Sequence, residues 1–236
     1  MMYQILARFY DALVQDEEAT NAWVSFIQRH IQGKRVLELA CGSGEITIAL
    51  GKKGYRVDAS DISEDMIEIA KQKPGADMVS WSVRDMRKIE EDSGYDAVLC
   101  LCDSINYILE EAELQDMFQR IYNMLRAHGT YIMDMHSVDR LAEFSQEFFE
   151  DGIIEGCGYQ WTIQSVEDRL YHTFAFYNPE GKCTLEQHIQ RVYDPVYIMK
   201  MLEACGFQVA IYTDFTFSGI VPGEKYFYVC RKGENR

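Results

Sequence analysis

The chain has 236 residues, 47% hydrophobic and 13% aromatic, enough to bury a sizeable core in one large domain or one domain carrying an insertion. Its formal charge is −15, from 23 Lys and Arg against 38 Asp and Glu. That field opposes a phosphate backbone, whose binding depends on cations displacing counterions, so no nucleic-acid partner is expected and small or amine-bearing molecules fit better.

The opening stretch MMYQILARFYDALVQDEEA has no basic leader followed by a long apolar core, so it does not read as a secretory signal. No apolar run approaches the roughly 18–20 residues that span a bilayer, so no membrane association is expected. Seven cysteines are scattered and never spaced as CxxC. The expectation is a reduced, cytoplasmic protein with neither structural zinc nor a disulfide framework.

The first thirty residues read as helical, with Ile5, Phe9 and Leu13 and then Trp23, Phe26 and Ile27 at helical spacing. KRVLELA reads as a strand and GEITIALGKKG as a helix ended by Gly54. YRVDASD is a second strand, and SEDMIEIAKQK a helix capped by Ser63 and stopped at Pro74. DMVSWSV and YDAVLCLC are further strands, followed by the long helix EEAELQDMFQRIYNMLRAHG and the strand GTYIMDMH. This alternation predicts an α/β fold, a mainly parallel sheet with helices on both faces.

The rhythm then changes. From about Ile153 to Tyr193 the runs GYQWTIQSV, RLYHTFAFYN and CTLEQHIQRVY are rich in β-branched and aromatic residues, with turn signals between them and no helix. They predict antiparallel strands, an insertion at residues 151–193 in a single domain covering residues 1–236. DPVYIMKMLEACG closes as a helix, and FQVAIYTDF and KYFYVCRK as strands.

The most informative stretch is VLELACGSGEITIAL. Gly42 and Gly44 remove side chains from a strand-to-helix turn, which lets a ligand approach the backbone. A dinucleotide turn would carry a third glycine where this chain has Thr47, and it has no use for the acid Glu38 inside the strand. A ligand with a cationic amino-acid head does have a use for it. These two departures weigh against a nucleotide-dependent oxidoreductase.

ELACGSGEIT, VDASDISEDMIEIA, VRDMRKI and YDAVLCLCDSINYIL, in that order, resemble the class I S-adenosylmethionine-dependent methyltransferases, and small bacterial members in particular. The resemblance covers roughly residues 1–150, and the closing helix and strands at 195–231 fit it. It implies a Rossmann-like sheet of seven strands, S-adenosyl-L-methionine as cofactor, and methyl transfer to a small-molecule acceptor. The insertion is similar to the extra strands that roof the substrate pocket in amino-sugar and glycine N-methyltransferases. Residues 1–30 would form a helical lid, in a monomer or a homodimer.

The residues agree with that chemistry. Asp61 ends the second strand, placed to accept two ribose hydroxyls. Ile62 and Met66 would pack on adenine. The resemblance gives Asp85 the adenine amino group and Met86 a backbone contact to the ring. Glu38 would hold the methionine ammonium, with Ala40 and Gly42 meeting it by backbone. Gly44 completes the turn. Leu101 and Cys102 would lie beside the sulfonium, and Cys102 with Cys100 at period two reads as packing. Tyr10 either closes the N-terminal helix over the cofactor or packs in the core. Asp103 either steers an amine, takes its proton, or caps the next helical turn. His136, the only histidine at the C-terminal end of a strand, is the general-base candidate, while His30, His128, His172 and His188 read as surface or strand residues. The sulfonium is already activated, so the absence of an obvious base does not count against methyl transfer. A non-catalytic binding module has no physical need for Glu38, Gly42, Gly44, Asp61 and Asp85 together.

Overall fold

Two helices precede the first strand. In the computed structural model, which describes residues 6–14, 16–89 and 93–233, these are α1 (Leu6–Val14) and α2 (Glu17–His30). Asp16 caps α2 by accepting the Ala19 N–H. Ile5, and with it residues 1–5 of the expected helical lid, lies outside the described residues.

Strands and helices then alternate as β1 (Arg35–Leu39), α3 (Glu45–Lys52), β2 (Arg56–Asp61), α4 (Glu64–Gln72), β3 (Val79–Val83), β4 (Tyr95–Cys100), α5 (Glu111–Met124) and β5 (Leu125–His136). β1 pairs in parallel with β2 and β4, β2 with β3, and β4 with β5. Ser63 caps α4, its hydroxyl accepting the Met66 N–H at 3.3 Å.

α5 is shorter than its apolar repeat suggests. It stops at Met124 instead of Gly129, because Leu125 already pairs with Tyr95 of β4. Carbonyls left open at a helix end need donors. Lys232 supplies them, its Nζ donating to the carbonyls of Tyr122 and Leu125 at 2.7 Å each.

After α6 (Asp139–Glu143) the chain leaves the main sheet. β6 (Phe148–Ile154), β7 (Cys157–Val166), β8 (Arg169–Tyr177) and β9 (Cys183–Arg191) form a separate antiparallel sheet in chain order. The strands begin at Phe148, ahead of the sequence boundary, since Glu150-Asp151-Gly152 inside β6 reads locally as a turn. Arg191 anchors the insertion, its Nε bonding Asp168 at 2.7 Å, Nη1 the Leu109 carbonyl at 2.9 Å and Nη2 Glu111 at 2.8 Å.

α7 (Pro195–Ala204), β10 (Phe207–Thr213), β11 (Phe217–Ser218) and β12 (Lys225–Lys232) complete the main sheet. β12 runs antiparallel between β5 and β10, giving the order β11-β10-β12-β5-β4-β1-β2-β3. The sheet therefore has eight strands rather than seven. The eighth, β11, is two residues on the edge of β10, too short to leave a pattern.

Helices cover both faces. Trp23, Phe26, Ile27 and Leu50 pack on Val36, Val57 and Leu99, while Phe118, Ile121, Ile198 and Leu202 pack on Leu39, Val98 and Tyr131. Each such side chain contributes about 1.5–3 kcal/mol on full burial. All seven cysteines are free, and among the described residues no helix is long and apolar enough to cross a membrane.

Candidate functional site

The ends of β1, β2 and β4 open into a cavity of about 480 Å³. Its floor is the turn after β1, where Ala40, Gly42 and Gly44 take φ of 52°, 53° and 80°. The left-handed region costs a residue with a Cβ roughly 1–2 kcal/mol. The two glycines serve different ends. A Cβ on Gly44 would lie 2.5 Å from the Trp81 ring, so this glycine lets the turn pack on β3. A Cβ on Gly42 would meet nothing within 4 Å, so this glycine keeps backbone open to the cavity it lines.

Glu38 is buried in β1 and its Oε2 accepts the Thr47 hydroxyl at 2.7 Å. Burial pushes its carboxyl up to about 7, against the pull of that bond. Asp61 is pinned by two backbone donors, Gly42 N–H to Oδ2 and Ser63 N–H to Oδ1, each at 2.8 Å. Burial raises its pKa too, opposed by those N–H groups. The pair of bonds ties the turn to the end of β2 as one rigid cradle.

Ile62 and Met66 line the next wall, with Asp85 and Met86 beyond them. The Arg87 side chain bonds Asp85 at 2.7 Å, its backbone N–H bonds the same carboxylate at 2.9 Å, and together they hold that carboxyl below its usual range. Leu101 and Cys102 arrive from the end of β4 and Tyr10 from α1. Cys102 has left the strand, with φ of 56°, so it faces the cavity instead of packing beside Cys100. Burial pushes the Tyr10 phenol upward and keeps it protonated. Every residue expected to touch the cofactor thus lines this one cavity. The open backbone at Gly42, the buried carboxyl of Glu38 and the fixed carboxylate of Asp61 fit S-adenosyl-L-methionine, with its ammonium and its ribose hydroxyls.

Asp103 and His136 are placed differently. Asp103 lines the cavity and is ion-paired with Lys225, which also lies 3.3 Å from Asp134; the Asp103 N–H donates to Asp134 Oδ2 at 3.0 Å. Burial opposes charge on Asp103, but the Lys225 ammonium outweighs it and holds the carboxyl well below the usual range. Asp134 lies deeper, and burial pushes its carboxyl up. Asp103 is therefore an anion suited to steering a cation and unsuited to holding a proton near neutral pH. His136 is 6% exposed and reaches the cavity only through its neighbours, Gln190 Oε1 at 2.9 Å and Asp103 Oδ2 at 3.5 Å. Burial lowers its pKa.

Several wall residues escaped sequence reading. Lys225 opens β12 opposite His136 of β5, a register no local pattern reveals. Gln190 and His172 come from the insertion, and beside them stands Trp161, one of the insertion's aromatic strand residues that the sequence offered as pocket lining. His172, expected as a surface or strand residue, lies in β8, and its side chain lines the cavity. Alternation along β7 puts Tyr159 and Trp161 on one face but leaves open which face that is, because the orientation of that sheet is set by α1. Phe9 stacks on Phe176 with centroids 5.1 Å apart, and the Leu6 N–H donates to Glu186 at 3.0 Å. On the other side of α1, Asp11 accepts the Ser43 hydroxyl at 2.5 Å and pairs with Lys73 at 2.6 Å.

A family profile described as a methyltransferase domain matches residues 36–129. A protein of Geobacillus sp. (strain WCH70) named as a putative methyltransferase is 33% identical over 98% of this chain and 100% of its own length. Among solved structures, an S-adenosylmethionine-dependent methyltransferase from Clostridium acetobutylicum ATCC 824 superposes with a TM-score of 0.83 at 23% identity, covering 98% of this chain and 99% of its own. The sugar N-methyltransferase KedS8 from Streptoalloteichus sp ATCC 53650 gives a TM-score of 0.80 at 20% identity, covering 99% and 95%. The glycine turn, the buried acid before it and the full-length relative agree, and the chain belongs to the S-adenosylmethionine-dependent methyltransferases.

Proposed function

We propose that this methyltransferase acts on the nitrogen of a small-molecule amine, within the cavity that α1 and the insertion cover. The observation that carries this reading is the cluster of Asp103, Lys225 and Asp134. Two carboxylates against one ammonium give a negative wall beside Leu101 and Cys102, and such a wall draws an amine and repels an acid. The likeness in fold to a sugar N-methyltransferase supports the same choice of atom. The scattered free cysteines support a reducing, cytoplasmic setting, and we infer a monomer or a homodimer.

Glu38 holds the cofactor's ammonium, Asp61 its ribose hydroxyls, and Asp85 with Met86 its adenine. When bound, S-adenosyl-L-methionine supplies a methyl group on positively charged sulfur, which a nucleophile's lone pair takes while the C–S electrons stay on sulfur. The protein's own part is alignment and exclusion of water. Asp103 orients the amine by charge, and Tyr10, protonated, closes the wall without competing as a nucleophile. Gln190 locks Asp103, its Nε2 donating to Oδ2 at 3.1 Å.

Incubating the protein and S-adenosyl-L-methionine with amines, amino sugars, carboxylic acids and phenols tests the reading. Amines should turn over and acids should not; turnover confined to acids or phenols would overturn it.

A further inference from the structure

Two polar atoms on the cavity's roof have no partner. Trp161 Nε1 on β7 and His172 Nε2 on β8 are both buried and unbonded, and both side chains line the cavity. Their rings stack with centroids 6.1 Å apart and planes 25° apart. Leaving a buried donor or acceptor unmade is costly, and an unbonded one beside a cavity is a place for a bound molecule to complete.

An indole nitrogen only donates. Gln190 donates its amide N–H to Asp103 and turns its Oε1 to the His136 ring, so neither group occupies His172 Nε2. A neutral imidazole carries a single N–H, and with that hydrogen on Nδ1 the unbonded Nε2 presents a lone pair. Burial, with His136 and His188 beside it, keeps the ring neutral although Asp103 is near, lowering its pKa to about 4. The roof therefore offers one donor next to one acceptor.

We propose that Trp161 and His172 bind a hydroxyl carried by the amine acceptor, the oxygen accepting from Trp161 Nε1–H and the hydroxyl hydrogen going to His172 Nε2. This rests on the amine reading of the same site and narrows it to amino alcohols. The attacking nitrogen cannot fill both places. The ammonium that Asp103 draws first releases a proton to water; the freed lone pair then forms the new N–CH₃ bond as the S–CH₃ pair stays on sulfur, and the methylated ammonium loses a further proton to water. A carboxylate has no hydrogen for His172 and is repelled by Asp103 and Asp134.

The test uses the S-adenosylhomocysteine complex with two probes, trans-2-aminocyclohexanol and cyclohexylamine. The chain has three tryptophans, and Trp81 donates its indole N–H to the Ala76 carbonyl at 2.9 Å, which makes it an internal reference. In ¹⁵N spectra the amino alcohol should shift the Trp161 indole signal and cyclohexylamine should not. Trp161→Phe and His172→Phe should each weaken amino-alcohol binding about tenfold and leave cyclohexylamine within about twofold. Equal shifts from both probes, no shift from either, equal losses for both, or an Nε2–H tautomer of His172 would overturn the proposal. These readouts need no turnover, so their failure is separate from failure of the amine panel.

Discussion

Thr47 donates its hydroxyl to Glu38 Oε2 at 2.7 Å, across the turn that joins β1 to α3. A third glycine at position 47 would leave that buried carboxyl without this partner, so the departure from a dinucleotide turn and the acid in the strand are one feature. The bond favours the ionised form while burial opposes it, leaving the carboxyl at about 7.

A proton on Glu38 therefore competes with the cofactor's ammonium. Cofactor affinity should rise with pH between about 5.5 and 7, by up to roughly tenfold per unit, and then level off. Glu38→Gln should flatten the curve, and Thr47→Val should move it to higher pH. Calorimetry with S-adenosylhomocysteine across this range decides the matter, and a flat wild-type curve would refute the assignment. Without ligand the sign reverses. The folded pKa lies above the ordinary value of 4.5, so this group's contribution to stability falls as pH rises from there to about 7.

Asp61→Ala should weaken cofactor binding about ten- to a hundredfold, from losing roughly 1.5–3 kcal/mol of charge-assisted bonds. Asp65→Ala, four residues on and exposed in the first turn of α4, should cost only a few tenths of a kcal/mol through the helix dipole. Equal losses in two folded variants would mean that the ribose lies elsewhere.

Much of this site was legible because its residues sit next to the patterns that place them. Glu38, Gly42, Asp61 and Asp85 each lie at or beside the end of a short apolar strand, so sheet topology alone brings them together. Lys225, Gln190 and His172 were not legible. Each enters from a segment far along the chain, and only the register of β12 on β5 or the docking of α1 on Phe176 brings it to the cavity. His136 shows the reverse case: its place at the end of β5 was read from sequence, but the Gln190 side chain in front of it was not. The end of α5 was misplaced because the apolar spacing runs on through Leu125, where pairing with Tyr95 takes over.

Lys225→Met would leave half-buried Asp103 and buried Asp134 side by side without their cation. Breaking such a pair costs about 3–5 kcal/mol. Both carboxyl pKa values would rise above those of the unfolded chain, so the variant's stability should fall as pH rises and recover in acid. Urea denaturation at pH 5 and pH 8 should show the larger deficit at pH 8. An equal deficit at both would show that the cluster is not held by charge.

α1 reaches the cofactor turn through Asp11, which accepts the Ser43 hydroxyl and also pairs with Lys73 at the end of α4. Asp11→Ala should weaken S-adenosylhomocysteine binding by about 1 kcal/mol, roughly fivefold, mainly by faster dissociation. Ser43→Ala should do the same to a smaller extent. Stopped-flow dissociation rates unchanged in both variants would show that α1 does not retain the cofactor.

The choice of nitrogen as the methylated atom is tested most directly by S-adenosylmethionine carrying a ¹³C-labelled methyl group, with trans-2-aminocyclohexanol as acceptor. Its nitrogen and oxygen are adjacent and compete for the same label, and the ¹³C shift of the product separates N-methyl from O-methyl. A single N-methyl signal, formed with stoichiometric S-adenosylhomocysteine, is the predicted result; an O-methyl signal, or no transfer to an acceptor that binds, would contradict it.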